Sequence, residues 1–347
     1  MADLAQEIYQ PVGVRANICS TINELRPERR REAGELYKFD ADTGEKKLQE
    51  NLDLINKWHG GANGRITCLF GPQGADMCSK ELLLHVKELS SEHGLPIHMH
   101  VAQGGRERAQ MLKRYGKPTI RFLEEIGYLD PKTQLIAAHC HDSTPKELQI
   151  LAESGAKMIG CPGSIGMIDG IVPPLQSFLE FGGTAALGSD QCPPDGNTMF
   201  AQMKYAAILN KVKHRDPTVL PAWKVLRMAT IEAAKCLGLD HQIGSLEPGK
   251  KADVILLDLN RPHFTPQLRT PVRNLIPNIA YQANGSEVTT VIVDGQIIME
   301  NRRVKTLDEV DVIQEAQQAA EDLAEKAEAD YIQADSGLVS MMREGKL

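Results

Sequence analysis

Residues 95–103 read Leu-Pro-Ile-His-Met-His-Val-Ala-Gln, a short apolar run that is interrupted by imidazoles and ends in an amide. Two later runs have the same character: residues 136–142 read Ile-Ala-Ala-His-Cys-His-Asp, and residues 186–190 read Ala-Leu-Gly-Ser-Asp. Runs of this length and composition are typical of buried parallel strands. Each of the three therefore predicts a buried strand with polar side chains at its carboxyl end.

The same alternation of short apolar runs and longer helical patterns extends along the chain, and it indicates repeated β-α units with parallel strands. Helical spacing predicts helices such as 79–93 and 145–155, the second of which has a Ser-Thr start and a Gly stop. We predict an α/β fold, either a barrel or an open sheet. Its six strands are expected at 13–18, 65–70, 96–101, 134–140, 157–161 and 184–188.

The pattern changes after Leu220. A helix is predicted over 221–237, followed by a Gly/Pro/Lys turn and a strongly apolar strand over 253–259. Residues 288–299 are expected to form a β-hairpin that turns at Asp294-Gly295. An Ala/Glu/Gln-rich helix is predicted to follow, from 307 to about 330. A second domain therefore begins in this part of the chain.

The chain has 347 residues, which suffice for one large α/β barrel or for two ordinary domains. Nucleic acid and anionic membranes are bound by positively charged surfaces. The net charge of this chain is -7, so we expect neither partner. We predict a cytoplasmic protein, because the sequence shows no signal peptide and no apolar stretch of about 20 residues. No Cys-x-x-Cys pair occurs, and we expect reduced thiols at Cys19, Cys68, Cys78, Cys140, Cys161, Cys192 and Cys236.

Three of the predicted strand ends carry groups that can bind a metal: His100, His139 and Asp190. Because barrel enzymes place their chemistry at the carboxyl ends of the strands, these groups are expected to converge there. Imidazoles and a carboxylate suit Zn²⁺ or Fe²⁺, and a bound metal activates water near neutral pH, with an Asp placed to take the proton. A lone strand-end His is more often structural, and Gly-Ser-Asp is often a helix cap. The order His, His, Asp on three strand ends favours the metal site.

These stretches resemble the amidohydrolase superfamily, in the branch of chlorohydrolases and cytosine- and guanine-deaminase-like enzymes. The resemblance covers nearly the whole chain and implies a (β/α)8 TIM barrel with a small β-sandwich beside it. Its most specific part is residues 243–253, Ile-Gly-Ser-Leu-Glu-Pro-Gly-Lys-Lys-Ala-Asp, which lead into the sandwich. The other matching stretches are 95–102, 136–140, 161–164 and 186–190.

The resemblance assigns roles by position and implies one ion per site, Zn²⁺ with Fe²⁺ as the alternative. It makes His100 the metal ligand of the fifth barrel strand, and Asp190, at the eighth, both a ligand and the proton acceptor. His139, at the sixth, binds metal in two-metal relatives and contacts the substrate in one-metal relatives. Many relatives have Glu where this chain has Gln103, and an amide can orient a ring nitrogen or leaving group but cannot supply a proton. The resemblance therefore favours displacement of a leaving group that depends less on protonation of the substrate by an acid.

Numbered against this family, residues 13–18 match the third barrel strand and 65–70 the fourth. We therefore expect a TIM barrel that lacks its first two strands, together with their His-x-His pair, and a partial β-sandwich. Six parallel strands cannot close an eight-stranded barrel, so we expect a homo-oligomer or a partner chain that supplies the missing strands. Four explanations stay open: a fragment or mis-started reading of a longer enzyme, one subunit of a split enzyme, a homodimer, or a non-catalytic relative.

A self-sufficient metal site is a further alternative, in which His98 and His141 join His100, His139 and Asp190. We expect a barrel over 1–240, a partial β-sandwich over 241–306 and a helical tail over 307–347. The predicted function is metal-dependent hydrolysis of a C–N or related C–X bond in a small heterocycle such as a purine, pyrimidine or triazine. The alternative is a non-catalytic or partner-dependent subunit of this fold.

Overall fold

The computed structural model of the chain describes residues 1–26, 34–190, 198–333, 341–342 and 344–346, so Cys192 lies outside the described residues. The strands are β1 (Ala16–Ile18), β2 (Thr21–Ile22), β3 (Ile66–Cys68), β4 (Gly71–Pro72), β5 (Ile97–Val101), β6 (Leu135–His139), β7 (Lys157–Gly160), β8 (Thr184–Leu187), β9 (Val254–Leu257), β10 (Val288–Val293), β11 (Gln296–Glu300) and β12 (Arg303–Val304).

The α-helices alternate with the first eight strands and then flank the later ones. They are α1 (Ala2–Leu4), α2 (Gln10–Val12), α3 (Ala41–Trp58), α4 (Gly61–Gly64), α5 (Lys80–His93), α6 (Gly105–Tyr115), α7 (Thr119–Glu125), α8 (Pro145–Glu153), α9 (Pro162–Ile168), α10 (Leu175–Glu180), α11 (Met199–His214), α12 (Ala222–Met228), α13 (Ile231–Cys236), α14 (Leu275–Gln282) and α15 (Glu309–Gln333). A π-helix (Ala5–Tyr9) joins α1 to α2, and a 3-10 turn (Pro262–Phe264) precedes α14.

The predicted parallel strands lie side by side in chain order. Strands β5, β6, β7 and β8 form one parallel sheet, while β1 pairs with β3 and β2 with β4, also in parallel. Bridges between Phe70 and Ile97 and between Gly74 and His100 join the β3–β4 segment to β5. The α/β class is thereby confirmed, and the carboxyl ends of the strands lie at one edge. The expectation that the barrel lacks its first two strands stays a prediction.

Burial along β5 and β6 explains how polar side chains come to that edge. In β5, Ile97, Met99 and Val101 are buried, whereas His98 and His100 point to the opposite side and are more exposed. All five residues of β6 are buried. The apolar side chains therefore anchor β5 in the core, and its imidazoles lie on the face that is left open.

Local capping fixes two of the predicted helices. The Ser79 hydroxyl accepts the Leu82 N–H at the start of α5, and Gly94 ends that helix in the left-handed conformation. Thr144 and Glu147 form a reciprocal capping box at the start of α8. Both helices begin where the sequence predicts.

The prediction of a single helix over 221–237 is wrong, because the structure has two helices there, α12 and α13. The break is at Thr230, whose backbone dihedral angles of φ -130° and ψ -104° are not helical. Its hydroxyl donates to the Leu226 carbonyl oxygen, a local bond that competes with helix continuation.

The later strands form one antiparallel sheet in the order β12, β11, β10, β9. The hairpin predicted between β10 and β11 is confirmed, and Asp294 and Gly295 both have positive φ, as a type I′ turn requires. The α15 helix corresponds to the predicted helical tail. Among the described residues, no helix combines the length and the apolar character that crossing a membrane needs.

An ion pair ties this sheet to the segment before β1. The Arg15 guanidinium donates to both carboxylate oxygens of Asp253, at 2.5 and 2.9 Å, and the Asp294 N–H donates to Asp253 as well. Although burial opposes ionisation, the bonds from Arg15 and Asp294 hold the pKa of Asp253 below its usual value. The Asp that ends the 243–253 stretch thus joins the two parts of the chain.

We predict that Arg15→Gln lowers the free energy of unfolding by about 2 kcal/mol, the scale of hydrogen bonds to charged groups. Lys305→Gln, which removes an exposed ion pair with Glu300, should change it by less than about 0.5 kcal/mol. Urea unfolding at pH 7 measures both. Equal effects of the two substitutions would contradict the role of Arg15.

The Asp253 contribution should also depend on pH. Because its folded pKa is depressed, its stabilisation is present above the ordinary pKa of 3.8 and disappears as the pH falls through the lower folded value. The stability difference between the wild type and Asp253→Asn should therefore shrink below about pH 4. A difference that stays constant from pH 7 to pH 3 would argue against the ion pair.

Candidate active site

Two of the predicted ligands lie on neighbouring strands at the open edge. In the β5–β6 register His100 is opposite Ala138 and Val101 is opposite His139. The imidazole rings of His100 and His139 are stacked, with centroids 5.2 Å apart and planes 10° from parallel. The structure thus brings these two predicted residues together.

The backbone at these strand ends adopts unusual conformations. Ala102, His139, Cys140 and Asp190 all have φ between 50° and 74°, in the left-handed region that residues with a Cβ seldom occupy. Such conformations cost on the order of 1–3 kcal/mol each and cluster at functional sites. The strand ends therefore hold their side chains at the expense of local stability.

A backbone carbonyl orients the His100 ring. Its Nδ1 lies 2.7 Å from the Gln73 carbonyl oxygen, which can only accept a hydrogen bond, so Nδ1 carries the proton. The lone pair of the neutral ring is then on Nε2. A histidine held in this way is prepared to bind a metal through Nε2.

His139 has both ring nitrogens buried and without a hydrogen-bond partner, and its side chain is only 1% exposed. Burial, together with the nearby His100, lowers the pKa of His139 to about 4, so the ring is neutral at pH 7. Leaving buried polar atoms unpaired is costly. A metal ion or a substrate atom would satisfy one of these nitrogens, and this chemistry fits the predicted role.

Asp190 follows β8 and is held by a hydrogen bond from helix α9. Its Oδ2 accepts a hydrogen bond of 2.9 Å from the hydroxyl of Ser164, a fully buried residue of α9. The sequence prediction did not identify this contact. Its only signal was the position of Cys161-Pro162-Gly163-Ser164 directly after β7.

A cavity of about 410 Å³ is lined by three of the predicted site residues, and His139 is not among the residues that line it. His100, Gln103 and Asp190 all contribute to its wall, so the structure places Gln103 in the same space as two predicted ligands. Several lining residues were not predicted from the sequence. They are Gln73, Gly104, Gly105, Arg106, Glu107, Ile165, Ile168 and Asp169.

Within the described ranges, no three His, Cys, Asp or Glu side chains lie close enough together to hold an ion. Neither the predicted set of His100, His139 and Asp190 nor the alternative set that adds His98 and His141 is therefore assembled there. His141 instead lies 3.7 Å from the carboxylate of Asp169. His100 and His139 remain a pair of nitrogen donors, and the Asp190 carboxylate contributes to the cavity that His100 lines.

We predict that His139→Asn leaves the stability of the metal-free chain nearly unchanged, because the His139 ring makes no hydrogen bond that would be lost and because Asn tolerates positive φ better. Thermal unfolding in the presence of a chelator measures this. The control is His59→Asn, which removes a ring whose Nδ1 accepts the Cys68 N–H and should be destabilising. Loss of stability in both variants would show that His139 is an ordinary core residue.

Comparison with known proteins places this arrangement among hydrolases. The Amidohydrolase family matches residues 1–298. A 5'-deoxyadenosine deaminase from Methanosarcina mazei is 39% identical over 286 residues, 82% of this chain and 64% of that protein. A 5-methylthioadenosine/S-adenosylhomocysteine deaminase from Thermoanaerobacter pseudethanolicus is 36% identical, over 84% of this chain and 67% of that protein. The chain thus spans about two thirds of the length of these curated relatives.

Solved structures share the fold. An adenosine deaminase from Xanthomonas campestris with bound zinc has a TM-score of 0.81 and 25% identity, over 92% of this chain and 68% of that chain. A zinc complex of atrazine chlorohydrolase from Arthrobacter aurescens has a TM-score of 0.77 and 22% identity, over 91% and 68% of the two chains. At that lower identity the likeness concerns the fold alone.

Proposed function

Because the chain belongs to the Amidohydrolase family, which matches residues 1–298, we propose that it is part of a metal-dependent hydrolase that deaminates an adenosine-type heterocycle. The observation that carries this is the stacked pair of His100 and His139, the second with two buried unpaired nitrogens. The names of the curated relatives support an aminopurine substrate over a chlorotriazine, against the expectation from Gln103 that a better leaving group is displaced.

We propose Zn²⁺ as the cofactor, with Fe²⁺ as the alternative and one ion per site. The rings of His100 and His139 and the carboxylate of Asp190 would hold it, and the bound ion would lower the pKa of a water ligand towards neutrality. The zinc of the Xanthomonas campestris adenosine deaminase supports this choice of metal.

In the proposed reaction, Asp190 transfers the proton, while His139 and Gln103 stabilise and orient the substrate. The attacking water adds its oxygen to the ring carbon that bears the amino group, and its proton passes to Asp190, which Ser164 holds in place. Asp190 returns the proton to the nitrogen as the C–N bond breaks and ammonia leaves. The His139 side chain stabilises the charge that develops, and the Gln103 amide donates a hydrogen bond to a ring nitrogen without protonating it.

A substrate panel tests this proposal. Zinc-loaded protein is incubated with 5'-deoxyadenosine, 5-methylthioadenosine and atrazine, and the release of ammonia or chloride is measured. We expect ammonia from at least one nucleoside, and a loss of about 100-fold or more in Asp190→Asn, because proton transfer contributes on this scale. Asp169→Asn, on the wall of the same cavity, is the control. Turnover of atrazine alone would overturn the choice of substrate.

Gln103 provides a second test. Gln103→Glu would supply a proton donor where the chain has an amide, so kcat for 5'-deoxyadenosine should rise by roughly 10-fold or more. Gln73→Glu adds the same charge to the same cavity and serves as the control. Unchanged kcat in Gln103→Glu would show that ring protonation does not limit this reaction.

A second candidate is a subunit that becomes active only with a partner. It is favoured by the absence of a three-ligand cluster in the described part of the chain. In this proposal a homo-oligomer or a partner chain supplies two barrel strands with a His-x-His pair. Light scattering and zinc content distinguish the candidates, because a self-sufficient chain should bind one zinc ion as a monomer.

The remaining proposals concern organisation and location. We assign residues 1–240 to the barrel, 241–306 to a partial β-sandwich and 307–347 to a helical tail. A cytoplasmic location is proposed because the cysteines in the described ranges are free thiols.

A further inference from the structure

Glu107 reaches back from the first turn of α6 to the end of β5. Its Oε1 accepts the Ala102 N–H at 2.9 Å, and its Oε2 accepts the Gln103 N–H at 2.7 Å. The Thr119 hydroxyl donates to Oε1 as well. One buried carboxylate, 2% exposed, thus holds the two residues that connect the β5 strand to the cavity wall.

The Glu107 carboxylate acts on a turn whose backbone conformation is unusual. Ala102 is in the left-handed region with φ 50°, and Gly104, with φ 155°, follows Gln103. Glycine allows many backbone conformations, so the direction of Gln103 depends on the bonds made to the preceding N–H groups. Bonds from N–H groups to a carboxylate are among the stronger hydrogen bonds in proteins.

The residue after Glu107 ties the same turn to β6. Arg108 donates to the side chain and to the carbonyl oxygen of Asp142, at 2.8 Å each, and the Asp142 N–H donates to the Ala102 carbonyl oxygen. Two adjacent residues of α6 therefore fix both strand ends that carry His100 and His139. Of these two residues, Glu107 is the one that accepts a hydrogen bond from the Gln103 backbone.

Building on the proposed function, we propose that Glu107 is a positioning residue whose carboxylate fixes the Ala102–Gln103 backbone and thereby aims the Gln103 amide at the substrate beside His100. Glu107 takes no part in proton transfer to the substrate. Burial, together with the nearby Asp76, raises the pKa of its carboxyl to about 7.

Glu107→Gln tests this assignment, because an amide offers one acceptor oxygen in place of two. The control is Glu147→Gln. Glu147 is also buried, and it accepts hydrogen bonds from Thr144 at the start of a helix. Neither Glu147 nor Thr144 lines the cavity. Both substitutions should lower the melting temperature. Only Glu107→Gln should shift the NMR signals of the Gln103 backbone N–H and side-chain NH₂.

Kinetics with 5'-deoxyadenosine separate positioning from stability. We expect Glu107→Gln to lower kcat by roughly 10- to 100-fold with a smaller change in KM, the scale for a group displaced by about 1 Å. Gln103→Ala should lower kcat similarly, and the double variant should lose little more, because both changes remove the same interaction. Fully additive losses, or an equal loss in Glu147→Gln, would overturn the positioning role.

The two proposals fail in different ways. A wild-type protein without activity on any nucleoside would contradict deamination by this chain alone, while the NMR comparison would still decide whether Glu107 fixes Gln103. Unshifted Gln103 signals in Glu107→Gln would overturn the inference even in an active deaminase.

Discussion

The parallel pairing of β5 with β6 is the constraint on which the site depends. Adjacent strands lie about 4.8 Å apart, and this spacing with the observed register brings the rings of His100 and His139 to a centroid distance of 5.2 Å. A shift of one residue along β5 would turn His100 to the helix side and expose Val101. The buried apolar residues of β5 therefore fix the register that keeps its imidazoles at the open edge.

This arrangement of the strand ends lowers the stability of the folded chain. His139 combines positive φ with two buried nitrogens that have no partner, and Asp190 also has positive φ. Hydrogen bonds around them offset part of this cost. Gln73 orients His100, Ser164 holds Asp190, and Glu107 holds the turn at Gln103. The strain is thus confined to the atoms that would meet a metal or a substrate, as is common at functional sites.

The strands could be predicted from the sequence because each is a short apolar run that ends in polar residues. This pattern depends only on residues that are adjacent in the sequence. His100, His139 and Asp190 were identified by the same rule, and two of them are in contact. The supporting contacts could not be predicted, because Gln73 acts through its backbone carbonyl and Ser164 lies 26 residues before Asp190. The break at Thr230 was missed because it depends on a side-chain hydrogen bond that leaves no periodic signal.

The central claim is that the strand ends of β5, β6 and β8 form a metal centre. Anomalous X-ray scattering at the zinc edge, from crystals of the zinc-loaded protein, tests it most directly. We expect one strong peak within about 2.0–2.2 Å of His100 Nε2 and a ring nitrogen of His139, with the Asp190 carboxylate also in contact. A peak elsewhere on the protein, or none near these side chains although zinc is bound in stoichiometric amount, would contradict it.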